Sequence, residues 1–166
     1  MMRRILVLFL VLGLVSAANA MLIKVDDQEG DSFEVNIKST ITVVSEDASS
    51  WLGYLIIEEG GAGSLENVVI LDAAGDIGAA SAYSEAGWGT GYELSASMSP
   101  TGVPATVAGS QFSFDYVGSV GDIATISLFT DPEYTTPAAS VNVTVVPEPM
   151  TIVLLGFGAL FLRRRR

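Results

Sequence analysis

Hydrophobic and polar positions alternate with a period of two in two stretches of the chain. Phe33, Val35 and Ile37 are interleaved with Ser32, Glu34 and Asn36, and Phe112, Phe114 and Tyr116 with Ser113 and Asp115. That period places apolar side chains on one face of a half-buried strand. Residues 41–44, 51–57, 68–71, 92–98, 123–129 and 141–146 are rich in β-branched, aromatic or aliphatic residues and are separated by Gly, Pro, Asp and Ser, so they predict six further strands. Short strands at this spacing, with no long segment of period 3.6 and no internal repeat, predict an all-β chain. The expected architecture is a single antiparallel β-sandwich or jelly-roll domain. Residues 73–86 are rich in Ala and are expected to hold a helical turn or two, weakened by Gly75 and Gly78.

The two ends follow other patterns. Residues 1–20 carry Arg3 and Arg4, then an unbroken apolar run over 5–12, then Ala18-Asn19-Ala20. This is the order of a secretory signal peptide, with signal peptidase expected to cut after Ala20. Residues 150–162 form a 13-residue apolar stretch, preceded by Pro147-Glu148-Pro149 and followed by Arg163, Arg164, Arg165 and Arg166. As a helix it would span roughly 20 Å, short of the roughly 30 Å hydrocarbon core, so it makes a weak permanent anchor in the inner membrane. The arginines would snorkel to the headgroups and hold the C-terminus in the cytoplasm. The chain thus divides into a signal peptide (1–20), an acidic sandwich domain (21–145) and a C-terminal segment (146–166).

That C-terminal segment resembles the PEP-CTERM sorting signal of Gram-negative bacteria. Val146-Pro147-Glu148-Pro149, a short apolar segment containing Gly156 and Gly158, and a terminal arginine cluster stand in that family's order, with a signal peptide at the opposite end. The resemblance implies recognition of Pro147, Glu148 and Pro149 by an exosortase, a membrane-embedded cysteine transpeptidase. It implies removal of the hydrophobic helix and the arginines, and transfer of the body to the cell surface or an extracellular polysaccharide matrix of the kind found in biofilms. It says nothing about what the body does there.

The composition narrows the chemistry. The 166 residues include no Cys and no His, so there is no imidazole base, Cys or Ser nucleophile paired with His, disulfide, or zinc site of the usual ligands. Six of the eight basic residues lie in the two end segments. Between 21 and 147, Lys24 and Lys38 stand against 18 carboxylates, a formal charge of −16 rather than the −11 of the whole chain. Such a body repels phosphate backbones and argues against nucleic-acid partners.

Few residues are candidates for a site. Asp26, Asp27, Glu29 and Asp31 could supply oxygen ligands to calcium, although their spacing is not that of an EF-hand; a solvated acidic segment is the other reading. Trp88 and Tyr92 lie in a glycine-rich stretch and could stack on sugar rings, or else pack in the core. Trp51 sits in a run apolar on both faces and is expected in the core. Glu58 and Glu59 are adjacent strand residues, expected on opposite faces, so they do not form a hydrolase pair. No catalytic residues and no cofactor are expected, calcium being the one candidate. The run 121–129 resembles a late strand of cohesin-like sandwiches, which bears on the sandwich and not on a partner. The expectation is therefore a secreted, non-enzymatic cell-surface protein with a structural or matrix-interaction role. The alternative is a carbohydrate- or calcium-binding module of the matrix.

Overall fold

The computed structural model describes residues 21–46, 50–75, 78–96, 108–130 and 135–148. The expected signal peptide with Ala18 and Ala20, Pro149, the apolar C-terminal segment and Arg163, Arg164, Arg165 and Arg166 lie outside the described residues. Among the described residues no helix is long and apolar enough to cross a membrane.

Eleven strands are present among the described residues: β1 (Met21–Val25), β2 (Gln28–Glu29), β3 (Ser32–Val35), β4 (Lys38–Ser45), β5 (Trp51–Glu58), β6 (Ser64–Ile70), β7 (Ala79–Glu85), β8 (Gly89–Ala96), β9 (Gly109–Val117), β10 (Ile123–Phe129) and β11 (Ala139–Val145). They form a five-stranded sheet in the order β2-β1-β4-β9-β6 and a six-stranded sheet in the order β3-β11-β10-β5-β8-β7. The expected sandwich is therefore present. Its pairings are antiparallel except for β11 with β3, which run parallel and pair Val143 with Phe33.

The inner faces of both sheets supply one core. Ile41, Phe112, Phe114 and Tyr116 from the five-stranded sheet meet Leu55, Leu94, Ile126 and Val143 from the six-stranded sheet, all at most 1% exposed. The alternation at Phe112, Phe114 and Tyr116 is the one visible in the sequence. In the first stretch it holds for Phe33 and Val35, but β3 ends at Val35. Ile37 falls in the crossing between the sheets and is 48% exposed.

One expectation needs correction. The Ala-rich stretch holds only a 3-10 turn at Asp72–Ala74, after which Ala79–Glu85 is strand β7. Pairing with β8 over seven residues overrides the weak helix preference of Ala, and Gly75 at φ 86° leaves the turn by a conformation a helix does not use. The hairpin of β1 and β2 also had no sequence-level counterpart.

Irregularities place particular side chains. Between Val43 and Val44 the register with β9 shifts, so Gln111 is an extra residue on β9. A bulge of this kind re-aims a side chain. Gln111 is fully buried, and its Oε1 accepts a hydrogen bond from the Trp51 indole Nε1 at 2.5 Å. Trp51, 8% exposed and packed edge-to-face on Phe112 at 5.8 Å, is the core residue its apolar run predicts.

Candidate functional site

The outer face of the six-stranded sheet carries a second, smaller buried group. Alternation along β5 turns Leu55 and Ile57 inward and Ile56 outward, yet Ile56 is fully buried, as is Ser127 beside it on β10. Phe129, 5% exposed, completes the group.

Its cover comes from the turn between β7 and β8. Glu85 pairs with Gly89, leaving Ala86, Gly87 and Trp88 as a three-residue hairpin loop. Gly87 adopts φ 86°, the left-handed position such a loop requires. The loop is fastened to the end of β5, where the Glu59 amide donates to the Trp88 carbonyl at 3.1 Å. At Gly89 a side chain would collide with the Ile57 carbonyl, so only glycine lets the hairpin lie this close to β5. Trp88 is thereby held half-buried, its ring edge-to-face with Phe129 at 6.4 Å and 82°.

Two open clefts of about 350 Å³ each flank this turn and share Glu58, Glu59 and Gly87. One is bounded by Trp88, Phe129 and Pro137. The other is bounded by Ser84, Thr90 and a row of small residues including Gly60 and Gly89. Strand β5 ends at Glu58, and Glu59 belongs to the turn that follows. The alternation behind the expected separation of these two residues therefore does not extend to Glu59, and both residues line both clefts. The Ser127 hydroxyl fixes Glu58 by donating to its Oε1 at 2.5 Å, with Ser140 Oγ 3.0 Å from Ser127 Oγ.

The structure separates the two aromatics of the glycine-rich stretch. Tyr92 faces the sandwich interior with Leu94 and Ala96, its ring 5.1 Å from that of Phe114, so it does not share a surface with Trp88. An even offset along β8 would have kept them together only if Trp88 were in the strand; it lies in the turn. Phe129, Glu58 and Glu59 take the place beside Trp88 that the sequence assigned to Tyr92. Their common signal is a pair of adjacent turns, Glu-Glu-Gly-Gly and Ala-Gly-Trp-Gly, and only the pairing of β5 with β8 shows that they meet.

The acidic stretch 26–31 is a hairpin. Asp26 and Asp27, at φ 48° and 64°, form the two-residue turn between β1 and β2. The Asp26 amide donates to the Thr40 carbonyl and its Oδ1 accepts from the Thr40 amide, both at 2.8 Å. Glu29 accepts from Lys24 at 2.8 Å and raises the Lys24 pKa above its ordinary 10.5. Among the described residues no three carboxylates are grouped to hold a metal ion. Lys38 donates to Asp115 at 2.8 Å and Asn67 donates at 2.7 Å, which together hold the Asp115 carboxyl below its ordinary 3.8. Both lysines of the body are thus engaged away from the clefts. Of the residues expected to form a sorting motif, Pro147 and Glu148 are described and exposed, directly after the last described amide bonded to the sheet, Val146 to the Val35 carbonyl.

No protein-family model and no curated protein matches the chain. Among solved structures the sandwich is similar to CaCohA2 from Clostridium acetobutylicum, with 13% identity over 78% of this chain and 93% of that one and a TM-score of 0.47. It is similar to a cohesin module from the family 33 glycoside hydrolase of Clostridium perfringens, with 14% identity over 79% of this chain and 100% of that one and a TM-score of 0.48. A non-cellulosomal cohesin from the archaeon Archaeoglobus fulgidus shows 12% identity over 79% and 94%, with a TM-score of 0.44.

Proposed function

We propose that the chain is an exported cell-surface or extracellular-matrix protein, delivered by a PEP-CTERM and exosortase route, with a structural or binding role rather than a catalytic one. The observation that carries this reading is the order of features at the two ends. Arg3-Arg4, an apolar run and Ala18-Asn19-Ala20 precede the body. Pro147-Glu148-Pro149, 13 apolar residues and four arginines follow it. The position of the motif supports it too. Pro147 lacks an amide proton and cannot extend β11, so the chain leaves the sheet where the recognition residues begin. An acidic body with no disulfide or imidazole chemistry suits a surface layer better than a catalyst.

Intact-mass measurement of the mature protein beside cell fractionation tests both processing steps at once. The expected product begins at Met21, lacks Arg163–166, and is found at the surface or in the matrix. A surface-located protein that retains all four arginines overturns the sorting route.

A further inference from the structure

The double cleft beside Trp88 joins three features. The first is an aromatic wall, in which the edge-to-face pair with Phe129 fixes the orientation of the Trp88 ring. The second is a pair of carboxylates, Glu58 and Glu59, in the lining of both halves. The third is a far half lined by glycines and the hydroxyl-bearing Ser84 and Thr90, with Glu85 adding a further carboxylate. Among the described residues the lining contains no base, and the two lysines of the body pair with Glu29 and Asp115 elsewhere. The cleft therefore presents negative charge beside an aromatic face, the arrangement that attracts a cation carried on a flat or cyclic frame.

We infer that this cleft binds a polymer of amino sugars bearing free ammonium groups, one ring stacked on Trp88 and ammonium groups at Glu58 and Glu59. The inference rests on the matrix reading for where such a polymer would be met, and on the cleft alone for its chemistry. Each half has a volume within the range of small-ligand sites, roughly 300–1,000 Å³, and the two adjoin across Gly87. Two adjoining halves that share their carboxylates suit a ligand that repeats both ring and charge. A neutral glucan would leave the carboxylates without a counter-charge. A basic peptide would find small residues and hydroxyls in the far half, where its side chains need apolar pockets.

The test is titration of the full chain in detergent with a glucosamine hexamer, followed by tryptophan fluorescence and calorimetry. Binding is expected, with weaker affinity as salt is raised. A fully N-acetylated hexamer and a glucose hexamer are expected to bind at least about tenfold more weakly. Trp88→Ala and the double variant Glu58→Gln, Glu59→Gln should each lose about tenfold or more, whereas Trp88→Tyr should retain binding. Melting temperatures of the variants establish that they are folded, and unchanged affinity in the folded Glu58→Gln, Glu59→Gln variant overturns the inference even if Trp88→Ala does not fold. No binding, equal binding of the neutral sugars, or unchanged affinity in folded Trp88→Ala overturns the inference. So does hexalysine binding as tightly as the amino sugar, which would make the cleft a basic-peptide site. Failure of the sorting route is read separately, from the C-terminal mass, which these substitutions should leave unchanged.

Discussion

Gln111 and Tyr116 each put a hydrogen-bonded polar side chain into a mainly apolar core. Replacing Gln111 by Ala strands the buried Trp51 N–H that it receives at 2.5 Å. The expected loss is about 1–3 kcal/mol in urea unfolding, with the fold retained. Tyr116 is fully buried and donates to the Ala62 carbonyl at 2.9 Å. Burial, with a smaller contribution from the charge of Asp122, pushes its hydroxyl above the ordinary 10.0. The folded protein therefore holds that proton more tightly than the unfolded chain does. Its contribution is complete below about pH 10 and is lost as pH rises through the raised value. Tyr116→Phe should cost about 1 kcal/mol at neutral pH and make the alkaline fall in stability shallower, as read from melting temperatures across the pH series. Trp51 and Tyr116 were legible as core from their apolar and alternating neighbours. Gln111 was not, because a bulge exists only in the register between two strands and leaves no mark in either one alone.

Among the elements, those built from β-branched and aromatic residues were the legible ones, since such side chains fit a pleated, half-buried surface. Strand β7 was not, because its Ala and Ser residues have no such signature and their place is set by β8. The hairpin of β1 and β2 hid behind its charge. Asp-Asp suggests a ligand set, yet these residues occupy the two left-handed positions of a tight turn that Asn-Gly normally fills. Asp26 gains two hydrogen bonds with Thr40 there. Replacing Asp27 by Gly should relieve its left-handed backbone and raise stability by about 0.5 kcal/mol, seen as a higher melting temperature. The candidate cleft was half legible. Trp88 stood out in its glycine-rich stretch, but its neighbours Phe129, Glu58 and Glu59 come from other strands, and a period of two gives the face of a residue and not its companions.

For the whole molecule, the charge balance was fully legible and the topology was not. Composition alone shows a body in which carboxylates far outnumber bases, and the structure adds that both bases are already paired. The strand order follows from long-range pairing, and its most distant instance is the parallel contact of β3 with β11. The Asn142 amide donates to the Asp31 carbonyl across that seam at 2.9 Å. A chain emerging from its N-terminus therefore exposes the open edge of β3 from the start and cannot cover it until β11, the last strand among the described residues, has followed. Contacts so far apart in sequence form slowly and leave edges prone to mispairing in the interval. The six-stranded sheet is complete only when everything up to Val146 has emerged, so the sandwich is finished by the residues that lead directly into Pro147.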